Sequence, residues 1–272
     1  MTNVDEGPLD ILRNCLTQSI AQLDWLPVLK LHVDGQVADN WAAIGFDTNA
    51  LKKLRRASPA TQTSLLTFLE SREVKTVLPA QAVQEYWNHH RAFANTVEAI
   101  QAETRKLAKR YDNLPSMAGA SAALRSYAKE IDDLADDVGD TENEHLLKLS
   151  VEFWEVLLGS SIVADVPRSD FARIGQTRLA CGVPPGFADE RKRANGLGDF
   201  YVWADFLFGL LSLQLPAVEP GKSTIVFVTE DAKEDWIVSG VPHPTLLGEV
   251  NVLTGRCLRI LGMDELKEIA GV

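Results

Sequence analysis

Cysteine is scarce in this chain and never closely spaced: Cys15, Cys181 and Cys257 stand far apart among 272 residues, with no CxxC pair. That pattern speaks against a disulfide framework and against a cysteine zinc site, and it fits a reducing, cytoplasmic compartment. The opening MTNVDEGPLD lacks the basic start and apolar core of a signal peptide, and no apolar run is long enough to span a bilayer. A soluble protein with no membrane partner is expected. Repeats and low-complexity segments are absent. Excess positive charge is missing too: 27 Lys and Arg against 38 Asp and Glu leave a net charge of −11, which speaks against a surface basic all over. Its distribution qualifies that exclusion. Acid gathers in EIDDLADDVGDTENE (130–144), whereas base gathers in KKLRR (52–56), RKLAKR (105–110) and ERKRANG (190–196). The basic clusters are candidate phosphate tracks, although solvated helix faces are the commoner meaning of such runs.

Several familiar catalytic patterns fail on inspection. EPGKST (219–224) imitates the end of a phosphate-binding P-loop, but Pro216 stands where a glycine is required, and a strand follows it where a helix should. His89 and His90 carry no HExxH, and adjacent histidines on a helix point in different directions. The GSS at 159–161 leads into a strand and lacks the strand-then-helix setting of a nucleophile elbow.

What is present is a chain that is 46% hydrophobic, long enough for one large α/β domain or a domain with a big insertion. Residues 8–26 space their apolar side chains as an amphipathic helix lying outside the sheet, and VLKLHV (28–33) alternates as a strand does. WAAIGF (41–46), VKTVL (74–78), SSIVADV (160–166), STIVFVT (223–229) and CLRILG (257–262) are short apolar runs of the kind found in strands covered on both faces. Helical patterns separate them, and that alternation predicts a parallel sheet between helices. From about Pro79 to Leu158 the pattern is almost wholly helical, with breaks predicted near DNLPSMAG (112–119) and VGDTEN (138–143), which reads as an inserted hairpin or small bundle. QLPAVEPGKS (214–223) reads as a surface loop.

Ligands of open parallel sheets bind beyond the carboxyl ends of the strands. Asp47 follows AAIGF, Glu85 stands about one turn into the helix after VKTVL, and Glu230 and Asp231 follow TIVFVT. Asp199 opens the almost wholly apolar helix GDFYVWADFLFGLL. Taken singly, Asp47, Asp199 and Asp231 fit helix N-caps and Glu85 fits a solvated helix position. Four acids aimed at one rim, with no clear matching arginine for each, repel one another unless a cation holds them, and clustered hard oxygens suit Mg²⁺ or Mn²⁺.

GFDTNAL (45–51), LPAQAVQEYW (78–87), NGLGDFYVW (195–203) and FVTEDAKEDW (227–236) resemble, in order, the four acidic motifs of PIN-like nucleases. GVPPGFADERKR (182–193) also resembles the members that carry a helical insertion, and the likeness runs from about residue 41 to the C-terminus. The resemblance implies a three-layer α/β/α sandwich around a parallel five-stranded sheet. A helical extension would occupy 1–40, the nuclease domain 41–272, and the insertion about 86–158 of it. It further implies a Mg²⁺- or Mn²⁺-dependent centre that hydrolyses phosphodiesters, most often an endoribonuclease acting on single-stranded RNA.

Carried over by motif, Asp47, Glu85, Asp199 and Asp231 would be the catalytic metal ligands, with Asp235 in the outer shell or on a helix surface. Asn49 would orient the turn or a water, or be an ordinary turn asparagine; Asp205 and Asp189 are further acids near the centre. Lys52, Arg55 and Arg56 share one helix face from which Lys53 points away, and with Arg191, Lys192 and Arg193 they would contact the nucleic-acid backbone. Trp203 and Trp236 read as core. A homodimer or a regulatory protein partner is a further expectation. The rival readings are a DNA-directed nuclease or phosphatase using the same acids, and a scaffold that binds RNA or protein without cutting.

Overall fold

The computed structural model describes residues 7–88, 104, 106–107, 109–110, 118–189, 196–219 and 221–272, apart from the side chains of 118, 121, 128, 130–146 and 189. The chain divides into two units, one formed by Met1–Tyr86 with Leu157–Val272, the other by Trp87–Val156.

The first unit is built on five parallel strands: β1 (Trp41–Phe46), β2 (Lys75–Pro79), β3 (Ser161–Ala164), β4 (Thr224–Val228) and β7 (Cys257–Leu261). Their spatial order is β3-β2-β1-β4-β7. Each grows from one of the five apolar runs. The three central strands are buried along most of their length, as expected where helices cover both faces. A two-residue antiparallel pair, β5 (Ile237–Val238) and β6 (Val241–Pro242), follows β4.

Helices complete the α/β/α arrangement. On one side lie α3 (Thr48–Arg56), α4 (Pro59–Ser71) and α10 (Met263–Ala270), which pack on one another. Phe68 of α4 meets Trp41 of β1 edge to face at 5.8 Å. On the other side α8 (Gly198–Ser212) lies across β2 and β3, and α9 (Pro244–Thr254) across β7. Glycine lets α8 approach this closely: a Cβ on Gly45 would stand 2.4 Å from the Phe206 ring, and one on Gly209 2.3 Å from Val77. Trp203 and Trp236 are buried around Phe227, Trp203 meeting it edge to face and Trp236 stacking on it, so both belong to the core as the sequence suggests.

Near the N-terminus two sequence expectations give way. VLKLHV is not a strand but helix α2 (Leu26–Val33), which packs on α9. Pro27 sits at its start, where a proline's fixed φ favours helix, and six residues are too few for alternation to exclude a helical period. The amphipathic pattern of 8–26 likewise splits. Helix α1 (Pro8–Thr17) buries Leu12, Cys15 and Leu16 against α7 (Arg168–Ala180), α8 and α9, ends at an extended Gln18, and is followed by a 3₁₀ turn, Ile20–Gln22.

In the second unit, α6 (Ala118–Gly159) runs unbroken through VGDTEN, overturning the break expected there. A single glycine inside a helix costs about 1 kcal/mol relative to alanine and does not by itself end it. The break expected at DNLPSMAG falls at residues that, up to 117, lie outside those described. Trp87 stacks on Trp154 at 6.4 Å, and Phe153 meets Trp154 edge to face. No described helix is long and apolar enough to cross a membrane.

Candidate active site

From β1 the chain steps outward to β2 and β3, then returns to the other side of β1 with β4. The strand order therefore reverses between β1 and β4, and the carboxyl ends of those two strands flank the crevice where open α/β sheets bind ligands. Asp47 directly follows β1 and Thr229 directly follows β4. The Asp47 backbone N–H donates to the Val228 carbonyl at 2.9 Å, which continues the sheet ladder to the site itself.

Asp47 caps α3: its Oδ1 accepts from the Ala50 N–H at 2.6 Å. Its Oδ2 accepts from the Thr229 hydroxyl at 2.5 Å, and that hydroxyl oxygen accepts from the Asp231 N–H at 2.9 Å. On the other side of Asp47, the Thr48 hydroxyl donates to Glu85 Oε2 at 2.7 Å, and Gln81 Nε2 donates to Glu85 Oε1 at 2.8 Å. Glu85, Thr48, Asp47, Thr229 and Asp231 thus follow one another along the rim, each acid separated from the next by a threonine. Burial raises the Asp47 carboxyl to about 6; the Thr229 and Ala50 hydrogen bonds oppose that shift, while the nearby Asp231 and Glu230 charges add to it.

Asp199 enters beside Glu85. It lies in the first turn of α8, where the unsatisfied N–H groups favour negative charge, and the preceding Gly198 lies so close to Glu85 that a Cβ there would stand 2.8 Å from Oε1. The helix cap is Leu197, so Asp199 is not the N-cap its position suggests. Nor does a helix start at Asp231, whose Oδ1 accepts from the Lys233 N–H in a tight turn while Oδ2 pairs with Lys233 Nζ at 2.6 Å.

All four sequence-selected acids therefore stand at the rim of one sheet. Among the described residues no three His, Cys, Asp or Glu side chains converge closely enough to hold a metal as they stand. The donor set nonetheless suits a hard divalent cation: carboxylates and hydroxyls only, with Asp47 buried next to further acids rather than opposite an arginine. Lysines supply part of the counter-charge. Lys233 pairs with Asp231, and Lys53 bridges Glu230 and Asp264 at 2.9 and 2.8 Å.

The basic face of α3 divides as its spacing suggests. Lys53 turns toward Glu230, whereas Lys52 lies near Glu85 and Asp47; burial pulls its ammonium down, and those two acids pull it up. Lys52 also reaches Asn49 Oδ1 at 3.4 Å, and Asn49 itself is exposed. Arg55 is half-buried and Arg56 exposed on the same helix. Arg191, Lys192 and Arg193 lie outside the described residues, as do His89 and His90 and the side chain of Asp189.

Two further acids hold the frame. Asp205 is fully buried, pairs with both terminal nitrogens of Arg168 at 2.8 Å, and accepts from the Val166 and Gln81 N–H groups. It thereby anchors the start of α5 (Ala80–Asn88), the helix that carries Glu85. Asp235 is fully buried rather than on a helix surface, and its Oδ2 accepts from the Gly186 and Ala188 N–H groups at 2.9 and 3.3 Å. Sequence reading passed over Thr48, Thr229 and Gln81. The only signal for the threonines is their place next to an acid in DTN and VTED.

A family model described as PIN like domain matches residues 43–243, a span that runs from β1 past the fourth acid. No curated protein and no solved structure matches the chain.

Proposed function

The chain belongs to the PIN-like domain family, a nuclease-type family, and from that premise we propose that the acidic rim is the divalent-metal centre of a nuclease that hydrolyses single-stranded RNA internally. One observation carries this reading: the threonine-linked series Glu85, Thr48, Asp47, Thr229, Asp231, with Asp199 beside Glu85, lies where the strand order reverses. Asp47, Glu85, Asp199 and Asp231 would hold Mg²⁺ or Mn²⁺. When bound, such an ion supplies Lewis-acid chemistry, making a water nucleophilic near neutral pH and offsetting charge on the leaving oxygen.

The chain's own groups do the rest. The Thr48 and Thr229 hydroxyls fix the orientations of Glu85 and Asp47. Lys52, held near Glu85 and Asp47, is placed to receive a phosphate oxygen, and Arg55 and Arg56 continue the positive face of α3 along a flanking backbone. Phosphate contacts of this kind hold the strand without reading its sequence. The proton released by the attacking water leaves through the acidic rim, and hydrolysis proceeds without a covalent intermediate.

The test compares cleavage of labelled single-stranded RNA and DNA of matched sequence in Mn²⁺, Mg²⁺ or EDTA. Metal-dependent cutting of RNA, lost in Asp47→Asn and Asp199→Asn variants that remain folded, is the expected result. Cutting of DNA alone reassigns the substrate. No cutting by folded wild-type protein with either metal removes the catalytic reading in favour of a binding scaffold.

A further inference from the structure

Residues 184–188, which follow α7, are held from two sides by buried charge. On one side, Arg178, 4% exposed, donates to the Pro184 carbonyl, to the Leu16 carbonyl at 3.0 Å and to Glu249 at 2.6 Å. The other oxygen of Glu249 accepts from the Trp203 indole N–H of α8 at 2.7 Å. On the other side, Asp235, 0% exposed, accepts through Oδ2 from Gly186 and Ala188. Its Oδ1 is buried and hydrogen-bonds to no described group. Pro184, Pro185 and Gly186 are themselves buried, and Gly186 has φ +105, a conformation that side chains rarely adopt.

What Asp235 clamps lies directly against the proposed centre. The position of a Gly186 Cβ is 3.5 Å from the Asp199 Cβ and 3.7 Å from the Gly196 carbonyl, so the loop forms the wall behind the third acid. Asp235 also stands four residues after Asp231, with Trp236 between them and β5 locked into the core. One side chain therefore connects the segment that carries the fourth acid to the loop behind the third.

We propose that Asp235 is a positioning residue and not a metal ligand: by tying its own segment to Gly186 and Ala188, it fixes the separation of Asp231 from Asp199. This rests on the metal-centre reading above. The chemistry of the clamp requires an acceptor but not a charge, because both of its partners are backbone N–H donors. A ligand of Mg²⁺ or Mn²⁺, by contrast, loses its anionic oxygen in the asparagine variant, which weakens binding of a hard cation. Asparagine and alanine at 235 therefore separate the two roles.

The experiment uses the full chain as wild type, Asp235→Asn, Asp235→Ala and, as a reference for loss of a ligand, Asp199→Asn. Hydrogen exchange of the 183–189 amides and Mn²⁺ affinity by electron paramagnetic resonance are measured without nucleic acid, with near-UV circular dichroism to verify folding. Asp235→Asn is expected to keep loop protection and to bind Mn²⁺ within about threefold of wild type. Asp235→Ala is expected to expose Gly186 and Ala188 to exchange and to weaken Mn²⁺ binding about tenfold, the lower end of the range for groups that orient ligands.

Loss of Mn²⁺ affinity in Asp235→Asn equal to that in Asp199→Asn would make Asp235 a ligand and overturn the proposal. So would a deprotected loop with unchanged Mn²⁺ affinity in Asp235→Ala, which would leave a merely structural clamp. Should Asp235→Ala fail to fold, Asp235→Asn alone decides, since ligand and positioning roles predict opposite Mn²⁺ affinities for it. A wild-type protein that binds no Mn²⁺ sinks the metal centre and its link to Asp235 together. The exchange of Gly186 and Ala188 then still reports separately whether Asp235 holds the loop.

Discussion

Replacing Asp47 by asparagine should stabilise the metal-free protein. The wild-type carboxyl rises from an ordinary 3.8 to about 6 on folding, chiefly through burial. A group whose folded pKa is raised binds more protons folded than unfolded, so its ionisation opposes folding as pH climbs from 3.8 through 6. A shift of about two units corresponds to about 3 kcal/mol of destabilisation, fully present above pH 6 and relieved below it. Asparagine keeps the α3 cap, because its carbonyl can accept from the Ala50 N–H as Oδ1 does now. It loses the acceptor for the Thr229 hydroxyl, at a cost of about 1 kcal/mol. The net expectation in EDTA at pH 7.5 is a gain of about 2 kcal/mol, shrinking to about zero by pH 4.5, where the folded carboxyl is protonated and the remaining penalty of about 1 kcal/mol only offsets the lost hydrogen bond.

Urea unfolding followed by tryptophan emission measures this difference, with buried Trp203 and Trp236 as reporters. Mn²⁺ should reverse the order: at a hundred times its dissociation constant it stabilises wild type by about 2.7 kcal/mol and does little for the variant. An Asp47→Asn protein less stable than wild type in EDTA at pH 7.5, or a gap that does not change between pH 7.5 and 4.5, would refute the reasoning. The burial of Asp47 would then be compensated by something other than a bound cation.

Lys52→Gln should weaken RNA binding about tenfold and lower the slope of log affinity against log salt by about 0.7, the share of one phosphate contact on a single strand; a KCl titration of binding by a cleavage-dead variant measures it. Gly198→Ala places a methyl 2.8 Å from Glu85 Oε1 and should move that carboxylate, lowering Mn²⁺ affinity at least tenfold while the unfolding midpoint changes little. Asp205→Ala removes the partner of a half-exposed Arg168 and the acceptor of two backbone N–H groups, and should destabilise by about 3 kcal/mol in chemical denaturation. An Asp205→Ala protein that unfolds at the wild-type urea concentration would show that α5 is anchored elsewhere.

The sheet was legible because its strands are short apolar runs bounded by turns, and five such runs became five strands. VLKLHV was not, since a six-residue window satisfies both strand alternation and helical spacing, and only its neighbours in space decide. The acids were legible as residues but not as a connected set. That Thr229 bridges Asp47 and Asp231 depends on β1 lying next to β4, a pairing across about 180 residues that local sequence does not encode, and the Thr48 link to Glu85 depends likewise on β1 lying next to β2. Asp205 and Asp235 show the same limit. Each reads as an acid near the centre, but Asp235 is held by backbone N–H groups and Asp205 by two backbone N–H groups and the distant Arg168, partners that no local pattern marks.

The pairing of β1 with β4 also sets when the acidic rim can assemble. Asp47 reaches Thr229 only after 182 further residues have been added to the growing chain, and the fourth acid follows two positions later. During synthesis the DTN segment and its basic helix leave the ribosome long before there is a second wall to the crevice. On the proposed reading, the nuclease centre therefore stays incomplete until the fourth strand of the sheet has been synthesised and paired with the first.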